Sequence, residues 1–162
     1  MSNGIKLGLF ALLVAIAYGT AWLKTYQLSE RYNEYAHQQI EEQNLLIALK
    51  GMNKLELRQD DVYLGGFQQV LETWENAVLG PKPSFYDDAK AMPEKILAQL
   101  NQQQLEMFIE TYVELDARYV PEAAEQLRIL ALQNGDSELA TEMSEFLLEA
   151  FPNYKPKSTL EQ

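Results

Sequence analysis

Residues 5–23 read IKLGLFALLVAIAYGTAWL, and this apolar segment decides the fold because its only charge is Lys6. A helix rises about 1.5 Å per residue, so this segment spans ~28 Å, close to the hydrocarbon thickness of a bilayer. The sequence therefore predicts one transmembrane helix near the N-terminus.

The two ends of the apolar segment carry side chains typical of membrane boundaries. Lys6 lies at its start, Lys24 follows its last residue, and Tyr18 and Trp22 lie near its distal end. Long lysine side chains reach the headgroups, and Tyr and Trp prefer the interface between lipid and water. We therefore predict that Lys6, Tyr18, Trp22 and Lys24 anchor the helix in the membrane.

A cleavable signal peptide is the alternative interpretation of the same segment. Lys6 would be its positive region, residues 7–17 its apolar core, and Gly19 and Ala21 the small residues before a cut. Helical character continues beyond that point through residues 22–44, which contain no turn-forming Gly or Pro. This continuity favours a retained anchor.

Orientation follows from the charges on either side of the apolar segment. The positive-inside count is nearly a tie, because Lys6 and the amino terminus oppose Lys24 and Arg31. A short N-terminal tail without acidic residues is most simply kept in the cytoplasm. For a bacterial protein this predicts a single-pass inner-membrane protein whose soluble part lies in the periplasm.

Composition narrows the possible partners. The chain has 13 Lys+Arg and 24 Asp+Glu, for a net charge of −11, and such a surface does not suit nucleic acid. Most of the excess lies in residues 102–154. The absence of cysteine excludes disulfides, thiolate metal sites and cysteine nucleophiles.

The soluble part reads as helices throughout, which gives an all-α fold. Apolar spacing predicts a helix over residues 28–50 that stops at Gly51, and another from a cap at Asp60 or Asp61 to Gly80. The second helix has this apolar face: Tyr63, Phe67, Val70, Leu71, Trp74 and Val78. Gly65 and Gly66 inside it indicate either a later start or a close backbone approach.

The distal helices are marked by capping residues and prolines. Ser84 resembles a helix start, and Pro93 predicts a break or kink near Met92. Further helices are expected over residues 102–119, with Leu105, Phe108, Ile109, Tyr112 and Leu115 on one face; from Pro121 to Gly135, with Ala124, Leu127, Ala131 and Leu132; and from a cap at Asp136 to Pro152, with Leu139, Met143, Phe146 and Leu147.

These patterns divide the chain into four regions. Residues 1–24 are the anchor, 25–58 a juxtamembrane helix and connector, 59–154 a helical repeat-like domain, and 155–162 a disordered tail.

Residues 121–154 resemble a tetratricopeptide repeat. Their length of 34 residues is the period of that family. The similar features are the turn at residues 133–136, the small Ala140 of the second helix, and the ending from Leu147 to Pro152. The resemblance implies helical hairpins that stack on one another, as in membrane-anchored repeat proteins of the bacterial envelope.

The sequence departs from the family at Ala124 and Arg128, where a large and a small residue are usual. A weaker echo covers residues 86–119, and residues 45–80 would supply a third hairpin. An irregular bundle of the same helices is the alternative. In the family, the first helix of each pair lines the inner groove, which implies these partner-binding residues: Glu122, Glu125, Ile129 and Gln133.

Catalytic and metal-binding patterns are weak. Glu34 and His37 have the spacing of a carboxylate-bridged metal site, but such a site needs a second motif, and His37 is the only histidine. No phosphate loop, nucleophile elbow or zinc-protease motif occurs. We therefore expect neither an enzyme nor a bound metal or cofactor, and no small-molecule substrate.

Two functions fit these features. The first is a membrane-anchored helical adaptor that binds proteins in an envelope assembly such as a secretion, pilus or biogenesis machine. The second is a small accessory subunit whose transmembrane helix packs on a larger membrane enzyme or transporter through Gly4, Gly8, Ala11 and Ala15. An acidic stripe formed by Glu138, Glu142, Glu145 and Glu149 is either a solvated face or a docking surface for a basic partner.

Overall fold

The fold is built from α-helices throughout the residues that the computed structural model describes, which are 3–53, 62–77 and 80–156. The seven helices in these ranges are α1 Asn3–Glu41, α2 Leu45–Lys50, α3 Phe67–Glu75, α4 Tyr86–Leu97, α5 Gln102–Leu115, α6 Val120–Asn134 and α7 Ser137–Ala150. No strand occurs among them. The predicted all-α fold class is confirmed.

The helices form two compact units. Unit 1 comprises residues 1–90 and unit 2 comprises residues 91–162, so the division falls within α4. In unit 1, α1, α2 and α3 pack against one another. In unit 2, α6 packs against both α5 and α7.

Helix α1 joins two surfaces of different chemistry. Its 39 residues are apolar enough in the first half to cross a membrane, and none of that window is buried in the protein. Leu7 and Leu13 are 69% and 65% exposed. Farther along, Ser29, Ala36 and Gln39 are buried in unit 1. One helix therefore carries both the membrane-spanning candidate and a wall of the unit 1 core.

The predicted helix over residues 28–50 is wrong as a single element, because the chain turns between α1 and α2. Gln43 adopts a positive φ of 63°, and the Asn44 backbone N–H donates to the Gln39 carbonyl at 2.8 Å. The Asn44 side chain also donates to Gln39 Oε1 at 3.0 Å. This turn lets α2 pack back on α1, burying Leu45 and Leu49.

Gly66 explains the glycine pair before α3. The helix starts at Phe67, later than predicted, and Tyr63 precedes it. A Cβ built on Gly66 would lie 2.4 Å from the Ala48 carbonyl oxygen and 2.7 Å from that of Leu49. The late start and the close backbone approach are therefore both present.

Several other expectations concern the ends of these elements. The predicted cap at Asp60 or Asp61, together with Val78, lies outside the described residues. Helix α3 ends at Glu75, before the predicted stop at Gly80. The stop predicted at Gly51 is confirmed, since Gly51 is the C-cap of α2 with a φ of 82°.

A buried polar pair fixes α3 on α1. The indole Nε1 of Trp74 donates to the Ser29 hydroxyl at 2.8 Å, and Ser29 Oγ donates to the Tyr26 carbonyl at 3.0 Å. Trp74 is 2% exposed and Ser29 is fully buried. A buried donor without an acceptor is unfavourable by about 1–3 kcal/mol, so this pair selects one register between the two helices.

Of the break or kink predicted near Met92, the break is wrong, because α4 runs through Pro93 without interruption. Proline has no N–H and therefore removes one intrahelical hydrogen bond. Pro93 is buried, as are Ala89 and Ile96 on the same helix, and this packing outweighs the local preference. Ser84 does not cap α4: it lies in the preceding turn, where the Tyr86 N–H donates to the Pro83 carbonyl at 3.1 Å.

Unit 2 is close to the predicted pattern at its caps. Asn101 Oδ1 accepts from the Gln104 N–H at 2.9 Å, and Asp136 Oδ1 accepts from the Leu139 N–H at 3.0 Å. Gly135 ends α6 in the left-handed conformation, and Pro121 lies in its first turn. The predicted boundaries at Pro121, Gly135 and Asp136 are confirmed.

The apolar faces of unit 2 are confirmed in part. Leu105, Phe108, Leu127, Met143 and Leu147 are buried, as predicted. Two expected core residues are wrong: Leu115 is 75% exposed and Leu132 is 55% exposed. Helix α5 ends at Leu115 rather than continuing to residue 119, so the last turn of its predicted apolar face never reaches the core.

We expect Gly66→Ala to destabilise unit 1, because the added methyl group would overlap backbone carbonyls that cannot move independently of α2. Overpacking of this kind lowers the free energy of unfolding by about 1–3 kcal/mol. Hydrogen exchange of α2 and α3 amides in the full-length protein in detergent measures the loss. Gly8→Ala is the matched control, since a Cβ on Gly8 meets nothing within 4 Å. Equal protection in both variants would contradict the close approach.

Candidate functional site

The first candidate site is the junction between the apolar segment and unit 1. Trp22 contacts Trp74 with ring centroids 6.0 Å apart and Tyr26 at 5.5 Å. Tyr26 also contacts Phe85 at 5.7 Å. These four residues, Trp22, Tyr26, Trp74 and Phe85, form what we call the aromatic collar. The aromatic collar packs the end of the apolar segment and the next turn of α1 against α3 and the residue before α4.

The loop before α4 reaches back to the membrane-spanning candidate itself. A Cβ built on Gly80 would lie 3.2 Å from Trp22 Nε1 and 3.4 Å from the Tyr18 hydroxyl oxygen. Gly80 has a φ of 87°, which an L side chain rarely adopts. Tyr18 and Trp22 are one helical turn apart, so Gly80 lies on the face that they share.

The predicted anchoring residues occupy different environments. Tyr18 and Lys24 are exposed, and so is Lys6. Trp22 is half-buried, and its indole N–H is buried without an acceptor among the described residues. Trp22 therefore packs inside unit 1, whereas the others remain available to lipid.

The tyrosines beyond the apolar segment make contacts within unit 1. Tyr32 packs edge-on against Tyr63, with centroids 6.0 Å apart, and Tyr26 belongs to the aromatic collar. Burial raises the pKa of the Tyr35 phenol, and the nearby Glu42 carboxylate raises this pKa further, by a smaller amount. These rings contribute to packing on α1, a role that apolar spacing alone did not distinguish from contact with lipid.

The second candidate site is the predicted partner-binding face of α6. Glu125 is 6% exposed and holds Arg128 in a bidentate pair, with Nε to Oε2 and Nη2 to Oε1 both at 2.8 Å. The hydrogen bonds that Arg128 donates to Glu125 raise the pKa of Arg128 above its usual value. Glu125 therefore serves an internal ion pair.

The segment after α7 lies on the same face. An open groove of about 210 Å³ is lined by Glu125, Arg128, Ser144, Leu147, Leu148, Phe151, Pro152, Tyr154 and Pro156. Burial, together with the charges of Glu122, Glu125 and Glu94, raises the pKa of Tyr154 to about 12. The chain's own C-terminal segment thus occupies part of the predicted docking face.

The four predicted groove residues are therefore not equally available. Glu122 and Ile129 are half-buried, and Gln133 is exposed near the end of α6. Sequence reasoning missed Arg128 and Tyr154 as members of this face. The spacing of three residues between Glu125 and Arg128 was an available signal, because such pairs meet on a helix surface.

The acidic stripe on α7 is open to solvent. Glu138, Glu142, Glu145 and Glu149 are all exposed. Their charges add to one another on one helix face, which produces a negative potential that attracts basic groups. These four carboxylates are therefore more accessible than Glu122, which is half-buried, and Glu125, which is buried.

A metal site requires several ligating side chains that lie close together. No group of three His, Asp or Glu side chains there is placed to hold an ion. The His37 ring packs edge-on against Phe67, with centroids 5.1 Å apart. His37 therefore covers the core of unit 1.

Comparisons with protein families, with curated proteins and with solved structures find no match for this chain. The resemblance to tetratricopeptide repeats stays a prediction. Function is therefore inferred from the aromatic collar, the α6 face and the acidic stripe.

We expect Arg128→Ala to destabilise α6 and α7, because it removes two charge-assisted hydrogen bonds from the buried Glu125 carboxylate. Arg128 is partly exposed, so the loss is about 1–3 kcal/mol rather than the larger value for a fully buried pair. Hydrogen exchange of the α6 and α7 amides reports the change. The double variant Glu125→Leu with Arg128→Met removes both charges and should recover most of the protection. Equal loss in both variants would show that the buried Glu125 charge left by Arg128→Ala is not the cause of the destabilisation.

Proposed function

We propose that this protein is a single-pass inner-membrane adaptor whose helical domain lies in the periplasm and binds protein partners in an envelope assembly, such as a secretion, pilus or biogenesis machine. One observation carries the proposal: α1 continues from its lipid-compatible half into the core of unit 1 without a break. A helix of 39 residues is about 58 Å long, roughly twice the hydrocarbon thickness.

This continuity favours a scaffold over a domain that a flexible linker merely attaches to the membrane. The Trp74–Ser29 hydrogen bond and the Trp22–Trp74 contact hold α3 on the same helix that enters the bilayer. No Gly- or Ser-rich linker separates residues 23 and 29. Unit 1 is therefore held at a defined height above the membrane, which suits a protein that positions partners.

The docking surface that we assign is the acidic stripe, with Gln133 and Ile129 of the α6 face as further candidates. Glu125 is occupied by Arg128, so the exposed stripe offers the accessible charge. Complementary charge accelerates encounter and rejects partners of the wrong sign. The partner expected for this surface is a protein segment rich in Lys or Arg.

An accessory subunit of a membrane enzyme or transporter is the second candidate. Gly8 and Gly19 favour it, because a Cβ on either would meet nothing within 4 Å, which leaves the helix surface open there. Small residues allow a second transmembrane helix to approach closely. In this case the soluble units would brace the complex.

Replacing residues 5–17 by an unrelated apolar helix of equal length, with Tyr18 and Trp22 retained because they contact unit 1, separates the two functions. An adaptor keeps its activity, because the new helix still anchors unit 1. A subunit loses activity with its soluble fold intact, because its packing stripe is gone. Complementation of a deletion strain, with hydrogen exchange of α3 as the folding control, measures the outcome.

Reversing the charge of the acidic stripe tests the docking surface. We expect Glu142→Lys with Glu145→Lys to abolish crosslinking to the partner in native membranes, because like charges repel a basic segment. The control is Glu110→Lys with Glu114→Lys, which makes the same charge change at exposed positions of α5. Mass spectrometry identifies the crosslinked protein in each case. Loss of the same partner in both variants would assign the effect to net charge rather than to the stripe.

A further inference from the structure

We propose that residues 80–82, the interfacial loop, lie in the lipid headgroup layer of the membrane that α1 crosses, and give unit 1 a second contact with that membrane. The inference rests on the proposed function in one respect, which is that α1 spans the bilayer. It adds a surface and a ligand class, anionic lipid headgroups, that the single anchor does not require.

Gly80 lies level with the last turns of the apolar segment of α1. The apolar segment ends at Leu23, and Gly80 lies against Tyr18 and Trp22. Tyr18 precedes Leu23 by about 7.5 Å along the helix axis, since each residue rises ~1.5 Å. A residue that contacts both rings is therefore level with the last turns of the apolar segment. That level is the boundary between hydrocarbon and headgroups.

The interfacial loop is exposed on its outer side. Gly80, Pro81 and Lys82 are all exposed in the protein, although Gly80 touches the face of α1 that enters the bilayer. With α1 inserted, the outer side of the interfacial loop meets lipid headgroups rather than bulk water. Tyr18, beside the loop, is an amphipathic side chain of the kind enriched at this depth.

The charges near the loop fit an anionic surface. Lys82 places its ammonium group 4.2 Å from the Tyr86 ring centroid, and Lys24 is exposed two residues after Trp22. Residues 80–86 contain no Asp or Glu, in a chain whose net charge is −11. A lysine near an anionic membrane surface contributes about 1 kcal/mol of attraction. The loop itself thus carries one positive charge and no negative charge, and Asp87 and Asp88 follow it in the first turn of α4.

Single-cysteine labelling tests the depth directly, because the chain has no native cysteine. The variant Pro81→Cys carries a nitroxide spin label in full-length protein reconstituted into vesicles of phosphatidylethanolamine and phosphatidylglycerol. Val14→Cys, within the apolar segment, and Glu41→Cys, at the exposed end of α1, are the lipid and water references. Collision of each label with oxygen and with a water-soluble nickel chelate reports its depth.

We expect the label at residue 81 to collide with nickel several-fold less often than the label at residue 41, and with oxygen at a rate between the two references. If the label at residue 81 is as accessible to nickel as that at residue 41 while residue 14 is protected, the inference is overturned and the anchored adaptor stands. If residue 14 is also accessible to nickel, α1 does not span the membrane and both fail. Protection from both reagents would mean that protein covers the loop, which also overturns the inference.

Lipid charge supplies a second measurement on the same label. Lys82→Glu should raise nickel access at residue 81 in the anionic vesicles, because the loop then faces like charge. Arg31→Glu is the matched control, since Arg31 is exposed on α1 about 12 Å beyond Leu23 at ~1.5 Å per residue. An unchanged signal in the Lys82 variant, or an equal change in both variants, would contradict a specific contact between the loop and anionic headgroups.

Discussion

The exposed apolar surface at the start of α1, which water solvates poorly, is the constraint on which the arrangement of unit 1 depends. The first half of α1 exposes a continuous apolar surface, with Leu7, Phe10 and Leu13 each more than 60% exposed. Soluble proteins rarely expose a patch of this size, and burial in hydrocarbon is worth about 25 cal/mol per Å². Because the same helix then becomes a wall of the core, α3 is held at a fixed distance from the end of the apolar segment.

The contacts around that boundary are unusually aromatic. Trp22, Tyr26, Trp74 and Phe85 make a connected set of ring contacts, and aromatic pairs contribute about 0.5–1.5 kcal/mol beyond their buried area. The Ser29 hydroxyl adds a directional hydrogen bond to Trp74. Packing supplies the stability of this junction, and the hydrogen bond supplies its register.

The sequence predicts the features that depend on local chemistry. Gly51, Gly135, Pro121 and Asp136 mark helix ends correctly, because the left-handed conformation and capping are properties of the residue itself. The apolar segment likewise follows from composition. The errors arise from packing between distant parts of the chain. The helix predicted over residues 28–50 is interrupted at Gln43, and α4 continues through Pro93, which is buried. No spacing rule contains that information.

The candidate sites likewise include features that the sequence predicts and features that depend on tertiary packing. The exposure of the acidic stripe follows from its helical period. The engagement of Glu125 by Arg128, and the contact of Gly80 with Trp22, depend on where other parts of the chain lie. The α6 face was expected to be open on the strength of a repeat-like pattern, whereas Tyr154 and the residues after α7 cover part of it.

The Trp74–Ser29 hydrogen bond has a consequence for the order of folding. The two residues are 45 positions apart in the sequence, so their contact closes a long loop, and closing a loop costs conformational entropy. Phe67 and Trp74, both nearly inaccessible in the folded protein, become buried only when that loop closes. Docking of α3 is therefore a long-range step that follows the formation of α1.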